Sequence, residues 1–258
     1  MSDSFLSLAL EKAIEAARAA GLRQKAALGS EKAVDLATDH DVKLRLDSEC
    51  QEQITQMLLA AFPDHSVFGE EGGSPYGVTE WQWIVDPIDG TVNFFHNFPH
   101  FCAAIALQHK GETVLAVTYD PNRDEMFTAI KGGGAFVNGK PIAASDRALL
   151  KEAMVSTGFS KGKNVVDESI ELVTFYGLNA QKLRMNGSAA LDLAYVAAGR
   201  LDIYLERSIR LWDVAGGVLL VKEAGGAIEL EPYSETPHTY TLIASNGKVP
   251  PKRWGEVK

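Results

Sequence analysis

Two aspartates three residues apart, Asp86 and Asp89, directly follow an apolar run in the sequence. Residues 81–85 are almost all apolar, which predicts a strand that is buried on both faces. Pro87 bends the chain between the carboxylates because its ring fixes φ, and Gly90 lets backbone N–H groups approach an anion closely. This pattern suits a hard divalent cation and the phosphate that it neutralises. Taken singly, the same residues also fit an ordinary turn, with Asp89 as a helix cap.

Three further carboxylates, Asp47, Glu70 and Asp213, stand where predicted strands end or helices begin. Such positions are rigid, and the backbone dipoles there favour phosphate. Mg²⁺ prefers octahedral oxygen ligands and keeps several waters, so it needs few protein carboxylates besides the substrate phosphate. Two such ions about 4 Å apart can hold the attacking water and the leaving oxygen of an in-line displacement. Together with the aspartate pair, these acids predict a metal-assisted phosphoryl-transfer site.

The elements that must position these acids differ between the two halves of the chain. In the first half, apolar residues repeat at helical spacing over 5–17, and the helix is expected to end at Gly21. Residues 25–41 show no clear period and predict a mobile segment, and a second helix is predicted over about 47–61. Antiparallel strands are predicted at 101–108, 113–119, 125–129 and 135–137.

The second half alternates strands with helices, as an α/β layer does. Helices are predicted over 165–176, 188–198 and 213–224, and strands over 154–157, 181–185, 201–205, 227–230 and 240–244. We therefore expect an N-terminal α+β half, 1–147, with the metal-binding motifs, and a C-terminal α/β half, 148–258, with Asp213 and the substrate pocket. No low-complexity linker separates the halves, so they should pack closely.

The composition predicts a globular protein with a substantial core. The chain has 258 residues, of which 46% are hydrophobic, and a formal net charge of −9. The acidic balance argues against a nucleic-acid surface, and no apolar stretch approaches membrane-spanning length. Residues 1–4 lack the start of a secretion signal, and the two cysteines, Cys50 and Cys102, fit a reducing compartment. We expect a cytoplasmic protein that binds neither nucleic acid nor membranes.

Three stretches of the sequence resemble the signature motifs of the inositol monophosphatase family. They are Gly-Glu-Glu at 69–71, Trp-Ile-Val-Asp-Pro-Ile-Asp-Gly-Thr-Val-Asn-Phe at 83–94 and Trp-Asp-Val-Ala-Gly at 212–216. Residues 187–192 are similar to the family's helix before the residue that contacts the sugar. The resemblance covers nearly the whole chain, and the middle motif is highly specific.

The resemblance implies a centre of two or three Mg²⁺ ions. The first ion would bind Glu70, Asp86 and the backbone carbonyl of Ile88. The second would bind Asp86, Asp89 and Asp213, and a weaker third ion is expected near Glu70. Members of the family depend on Mg²⁺ and are inhibited by Li⁺.

The resemblance also implies which residues act on the attacking water. Glu70 and Thr91 would orient and activate it, and Asp47 would support Thr91. Phosphatases that form an aspartyl-phosphate have their two acids two residues apart, whereas Asp86 and Asp89 are three apart. We therefore expect direct attack by water.

Substrate contacts are implied in both halves of the chain. Phosphate oxygens would meet the backbone N–H groups of Gly90 and Thr91, and leaving-group hydroxyls would contact Asp89, Ala189 and Glu206. The full implied set is Asp89, Gly90, Thr91, Gly187, Ser188, Ala189, Glu206 and Arg207. Arg207 either receives a second phosphate or lies at the surface. Lys32 is the best match for the lysine of the family's metal loop, and Lys25 is the alternative.

The implied fold is mixed α/β, a layered αβαβα sandwich with an antiparallel N-terminal sheet and a mixed C-terminal sheet, and family members are usually homodimers. The implied activity is Mg²⁺-dependent hydrolysis of inositol monophosphate or related sugar and polyol phosphates. Alternative substrates within the superfamily are fructose 1,6-bisphosphate, histidinol phosphate and 3′-phosphoadenosine 5′-phosphate. A regulatory binding protein that retains the fold is the alternative of another class.

Overall fold

The computed structural model describes residues 3–37, 42–159, 163–233 and 236–257. The helices in these ranges are α1 (Asp3–Ala27), α2 (Arg45–Ala61), α3 (Thr91–Phe95), α4 (Lys163–Asn179), α5 (Ala189–Ala197) and α6 (Leu211–Glu223). The strands of the first half are β1 (Val34–Ala37), β2 (Val42–Leu44), β3 (Ser66–Gly69), β4 (Gly72–Gly73), β5 (Trp81–Asp89), β6 (Cys102–His109), β7 (Glu112–Asp120), β8 (Glu125–Ile130), β9 (Gly134–Val137) and β10 (Lys140–Ile142). The strands of the second half are β11 (Met154–Thr157), β12 (Lys182–Arg184), β13 (Ile203–Arg210), β14 (Ala227–Pro232) and β15 (Thr239–Ser245).

Strand β5 shows how its sequence requires helices on both faces of a sheet. Side chains alternate along a strand, and Trp83 and Val85 pack with residues of α1 and α2. Ile84, which lies between them, packs instead with Leu211 and Ala215 of α6. The apolar run predicted at 81–85 is thus a strand buried on both faces.

The layers follow from this double burial. The larger sheet has the strand order β10-β9-β8-β7-β6-β5-β3-β4, and the smaller has the order β12-β11-β13-β15-β14. Helices α1 and α2 pack on one face of the larger sheet, α5 and α6 contact both sheets, and α4 contacts β12. The predicted αβαβα sandwich is confirmed. The larger sheet is antiparallel except for the parallel pair β3–β5, and the smaller is mixed.

Helix α1 is longer than the sequence pattern predicts, because it continues past Gly21 to Ala27. A Cβ at Gly21 would lie 2.6 Å from Cε1 of Tyr119 on β7. The glycine therefore allows a close helix–sheet contact and does not cap the helix. Strand β1 lies in the segment that was expected to be mobile, and it pairs with β2. Residues 38–41 lie outside the described residues.

Helices α2 and α6 each begin two residues before the aspartate that was expected at their start. Asp47 accepts the N–H of Leu44 at 3.0 Å, and Asp213 accepts the N–H of Arg210 at 3.0 Å. In both helices the carboxylate at the third position accepts the N–H of the residue before the helix, as in a capping box. Both aspartates are thereby fixed in the first turn of a helix, where the helix dipole favours negative charge.

Helices α5 and α6 connect the two sheets, so the halves of the chain are closely packed. The predicted boundary near residue 147 falls between β10 and β11, and the division into two domains stays a prediction. Among the residues described, no helix combines the length and the apolar character that a membrane crossing requires.

Replacing Gly217 of α6 with alanine should destabilise the protein. A Cβ at this position would lie 2.5 Å from Cβ of Leu193 on α5. Overpacking costs about 1–3 kcal/mol, which exceeds the gain of about 1 kcal/mol from the better helix propensity of alanine. The free energy of unfolding should therefore fall by roughly 1 kcal/mol, as measured by denaturant titration.

Gly216→Ala is the matched control for this measurement. A Cβ at Gly216 would meet Cβ of Ala116 at 3.5 Å, an ordinary contact, so this variant should be as stable as the wild type or more stable. Equal effects of the two substitutions would contradict the proposed packing.

Candidate active site

A cavity of about 400 Å³ is lined by residues from both halves of the chain. Most of the residues predicted from the sequence lie along it. They are Glu70, Asp86, Ile88, Asp89, Gly90, Thr91, Gly187, Ser188, Ala189, Glu206 and Asp213. Of the predicted site residues, Asp47 and Arg207 are not part of this lining.

Three carboxylates converge in the cavity, as the spacing of the acidic motifs predicts. Asp86, Asp89 and Asp213 each offer one oxygen atom, and these atoms lie within 4.8 Å of one another. Glu70 lines the same cavity, and none of the lining residues described is a lysine, arginine or histidine. A donor set made only of carboxylate oxygens fits a hard cation such as Mg²⁺.

The electrostatics of this cluster favour a bound cation. Burial raises the pKa of Asp86 well above its usual value, and the charges of Glu70 and Asp89 raise it further. Burial, followed by the charges of Glu70 and Asp89, likewise raises the pKa of Asp213. The pKa of Glu70 is also raised, first by burial and then by the charge of Asp47. A divalent cation would reverse these shifts, because its positive charge favours the deprotonated carboxylates.

A bulge at the end of β5 lies within the motif that was predicted to bind metal. The ladder between β5 and β6 slips between Asp86 and Asp89, so the intervening residues leave the regular pairing. Oδ1 of Asp86 accepts the N–H of Ile88 at 3.0 Å. The hydroxyl of Thr91 lies 2.9 Å from the carbonyl of Ile88, the predicted metal ligand. The strand thus extends through the motif, instead of ending at Asp86.

Asp47 lies behind Thr91, which agrees with a supporting role. Its Oδ1 atom is 3.3 Å from the Thr91 hydroxyl, and only 2% of the residue is exposed. Burial raises the pKa of Asp47 to about 7, although the Leu44 N–H lowers it in part. The Thr91 hydroxyl has one proton and two nearby acceptors, so its orientation depends on the protonation of Asp47.

Asp89 joins the metal motif to the start of α5. It accepts hydrogen bonds from the Ser188 hydroxyl and from the N–H groups of Ala189 and Ala190, the latter two at 3.2 and 2.8 Å. These bonds and the dipole of α5 partly offset the effect of burial, which raises the Asp89 pKa. Asp89 thus accepts N–H groups at the start of α5 and does not cap α3, the helix that follows it in sequence.

The end of the cavity formed by the smaller sheet carries two further acids, of which Asp192 is fully buried. Glu206 accepts a hydrogen bond from Tyr204, and Asp192 accepts bonds from Ser156 and Asn186, each at 2.7 Å. Burial raises the pKa of both carboxyl groups to about 7. These acids, with their partly satisfied oxygens, can accept hydrogen bonds from hydroxyl groups.

Gly158 is a site residue that the sequence patterns did not identify. A Cβ at this position would overlap the Glu206 carboxylate, with Oε1 at 2.7 Å and Oε2 closer still. Only glycine therefore leaves room for Glu206 in its observed position. The contact joins the end of β11 to β13, which are separated in sequence, and a Thr-Gly pair at a strand end was its only local signal.

Asn93 holds the two halves together beside the cavity. Its Nδ2 atom donates to the carbonyls of His100 and Asn186, both at 2.8 Å. Gly187 has φ +78°, and a Cβ there would lie 3.1 Å from the same Nδ2 atom. The close approach of these two segments thus requires glycine at 187.

Arg207 and Lys32 contact residues away from the cavity. Since Glu206 faces the cavity, the next residue on β13 faces the opposite side of the sheet. Arg207 pairs with Glu168 and lies 4.8 Å over the Trp254 ring. Lys32 donates to Asn97 at 2.6 Å, and neither Lys32 nor Lys25 is among the lining residues described. Arg207 is thus paired with an acid outside the lining of this cavity.

Comparison with known proteins identifies the family of this chain. The model of the inositol monophosphatase family matches residues 6–254. The chain belongs to the inositol monophosphatase family. Inositol monophosphatase 3 of Solanum lycopersicum is 40% identical over 243 residues, which cover 92% of this chain and 91% of that protein. The Nus factor SuhB of Xylella fastidiosa is 42% identical over 212 residues, which cover 79% of this chain and 77% of that protein.

A solved structure of the family has the same fold. The inositol monophosphatase of Anabaena is 34% identical and superimposes with a TM-score of 0.82, covering 94% of this chain and 92% of that one. Family membership supports a phosphatase of the inositol monophosphatase superfamily.

Mg²⁺ should raise the melting temperature more at about pH 8 than at about pH 5. Asp47 and Asp192 have folded pKa values of about 7, above their ordinary value of 3.8. A carboxyl group whose pKa is higher in the folded protein than in the unfolded one stabilises the fold when the pH is below its unfolded pKa. This contribution is lost as the pH rises through the folded pKa. The metal-free protein should therefore lose stability between about pH 4 and about pH 7, and a cation that favours carboxylates should offset that loss most above this range.

Thermal unfolding with MgCl₂, against NaCl of equal ionic strength, measures this effect. At about 100 times its dissociation constant, Mg²⁺ should stabilise the fold by about 2.7 kcal/mol. Asp213→Asn should lose most of this increment. An Mg²⁺ effect that is the same at both pH values would speak against the carboxylate centre.

Proposed function

We propose that this protein is a Mg²⁺-dependent phosphomonoesterase that hydrolyses inositol monophosphate or a related polyol phosphate. The observation that carries the proposal is the convergence of Asp86, Asp89 and Asp213 in a cavity that Glu70 and Thr91 also line. Members of the same family named as inositol monophosphatases support it.

The proposed chemistry is direct attack of water on phosphorus. Glu70, Asp86, the Ile88 carbonyl, Asp89 and Asp213 would hold Mg²⁺, which, when bound, supplies positive charge for the phosphate and acidifies water. Glu70 accepts one proton of the attacking water, and the Thr91 side-chain oxygen accepts a hydrogen bond from the same water. Together they turn a lone pair of the water towards phosphorus. As the new bond to phosphorus forms, the ester bond breaks and the leaving alkoxide takes a proton from solvent.

The phosphate would lie at the start of α3. The first N–H groups of a helix have no partner inside it, and those of Gly90 and Thr91 precede or begin α3. Gly90 has φ +92°, and a Cβ there would lie 3.0 Å from the His100 carbonyl. The glycine thus brings these donors to the cavity edge, where they can stabilise phosphate oxygens.

The charges of the cavity favour a leaving group that carries hydroxyls. Glu206 and Asp192 lie at its far end, and the described lining includes six carboxylates and no lysine or arginine. Hydroxyls can donate to these acids, whereas a second phosphate would be repelled. Arg207, the candidate partner for a second phosphate, pairs with Glu168 on the other side of β13. A polyol monophosphate is therefore favoured over fructose 1,6-bisphosphate and 3′-phosphoadenosine 5′-phosphate.

The proposal includes a cytoplasmic homodimer that is inhibited by Li⁺, as the resemblance to the family implies. Sedimentation of the purified protein would establish its oligomeric state. Li⁺ titration of phosphate release would test the inhibition.

A second role is favoured by similarity to proteins named Nus factor SuhB. We infer that the same fold can serve as a regulatory binding protein, in keeping with the name of these relatives. The two roles are compatible, because the cavity occupies only part of the surface.

Phosphate release from a substrate panel tests the proposed activity. With Mg²⁺, inositol 1-phosphate should be hydrolysed at least about tenfold more efficiently than fructose 1,6-bisphosphate or 3′-phosphoadenosine 5′-phosphate. The physical reason is repulsion between their second phosphate and Glu206 or Asp192. Histidinol phosphate, which brings a cation to the same acids, serves as the comparison.

Two results would contradict the assignment as a polyol-monophosphate phosphatase. One is the absence of phosphate release from every ester at saturating Mg²⁺. The other is faster turnover of both bisphosphates than of inositol 1-phosphate. That result would mean that a positive charge in the cavity faces the second phosphate. Preferred hydrolysis of histidinol phosphate would keep the phosphatase and change its substrate.

Asp213→Asn separates the phosphatase from the binding role. The variant should lose phosphatase activity by at least about a hundredfold, because it removes a ligand of the metal centre. A cellular phenotype caused by loss of the protein should be restored by the variant as fully as by the wild type if the binding role is real. If the inactive variant does not restore it, the second role is rejected.

A further inference from the structure

Gln24 is a polar residue buried inside an otherwise apolar helix face. It lies near the end of α1, and none of its surface is exposed. The neighbouring buried positions of α1 are Ala13, Ala16, Ala17 and Ala20. Burying a primary amide in such surroundings is unfavourable unless its polar atoms are hydrogen-bonded.

Among the described residues, the amide of Gln24 makes one hydrogen bond, and its acceptor lies in the predicted metal-binding motif. Its Nε2 atom donates to the carbonyl of Pro87 at 2.6 Å. Its Oε1 atom is buried without a hydrogen-bond partner among the described residues. An apolar side chain would avoid this cost, so stability alone does not explain glutamine at this position.

The contacted carbonyl belongs to the bulge that positions Asp86. Pro87 lies between Asp86 and Asp89, where the β5–β6 ladder slips. A carbonyl that leaves the regular ladder needs another donor when it is buried. Gln24 supplies that donor from the helix layer, on the side of the sheet opposite α6.

One peptide unit connects Gln24 with Asp86. The Pro87 carbonyl accepts from Gln24, and the Ile88 N–H of the same peptide donates to Oδ1 of Asp86 at 3.0 Å. In a trans peptide these two groups point in opposite directions, so Gln24 and Asp86 hold opposite edges of one plane. A hydrogen bond to the carbonyl also polarises the peptide and strengthens its N–H as a donor.

We propose that Gln24 is a positioning residue of the metal centre, which fixes the Asp86 carboxylate through the Pro87–Ile88 peptide. With Oδ1 held by the Ile88 N–H, the other carboxylate oxygen is directed to the cavity. The inference rests on the proposed metal-dependent function, because Asp86 is the ligand that both implied ions share. Gln24 itself touches neither the cavity nor the substrate.

Gln24→Met tests the inference, because methionine has a similar length and volume but no N–H donor. Mn²⁺ binding, measured by the electron paramagnetic resonance signal of the free ion, should weaken by about tenfold, as for other outer-shell partners of metal ligands. The Mg²⁺ concentration for half-maximal phosphatase activity should rise by a similar factor. KM for substrate at saturating Mg²⁺ should change little.

Gln53→Met is the matched control. Gln53 is also a glutamine on a helix of the same layer, with an Oε1 atom that is buried and unpartnered among the described residues. In the described part of the chain Gln53 makes no hydrogen bond with the metal motif, so the Mn²⁺ affinity of this variant should stay within about twofold of the wild type. If Gln24→Met does not unfold cooperatively, Gln24→Ala, which is too small to clash, replaces it under the same criterion.

Each outcome decides the inference. A folded Gln24 variant that binds Mn²⁺ as tightly as the wild type overturns it, as does an equal loss in Gln53→Met. A wild-type protein that binds no Mn²⁺ removes the proposed metal centre and this inference with it. Weakened binding in the Gln24 variant alone supports the positioning role.

Discussion

Mutual repulsion among buried carboxylates is the constraint on which the rest of this structure depends. Asp86, Asp89 and Asp213 place oxygens within 4.8 Å of one another, with Glu70 beside them. Like charges at such distances in a desolvated place oppose folding. Rigid backbone must therefore hold them, and each aspartate accepts at least one backbone N–H: from the β5 bulge, from the start of α5 and from the residue before α6.

The acids come from both halves of the chain, so contacts between the halves determine their separation. Phe68 precedes the Gly-Glu motif on β3, and its ring centroid is 5.7 Å from that of Trp212, which precedes Asp213. Tyr76 and His238 complete this aromatic cluster at 5.5 and 5.1 Å from Phe68. The cluster joins the segment that carries Glu70 to the segment that carries Asp213. Asn93 joins the segment that carries Gly90 to the segment that carries Gly187. Packing thus fixes a geometry that electrostatics alone would disperse.

The sequence predicts what depends on neighbouring residues and fails where distant segments meet. The strand before Asp86 and the antiparallel strands that follow it follow from local patterns, and the structure contains them. The layered fold came from the family resemblance. Gly21 was misread as a helix cap, because its contact with Tyr119 involves a strand nearly a hundred residues away. Likewise, only the placement of β13 between its neighbours shows that Glu206 faces the cavity and Arg207 does not.

The roles of the cavity are divided between two sheets. The metal motif lies on β5 of the larger sheet, whereas Glu206 lies on β13 of the smaller one, beneath a glycine that leaves just enough room for its carboxylate. Under the proposed function, the end of the cavity that binds the alcohol can vary in sequence while the residues around the phosphoryl group stay the same. Substitutions at the end of β11 or along β13 would change the preferred substrate and leave the reaction centre unchanged. This is one physical route to a superfamily with many substrates.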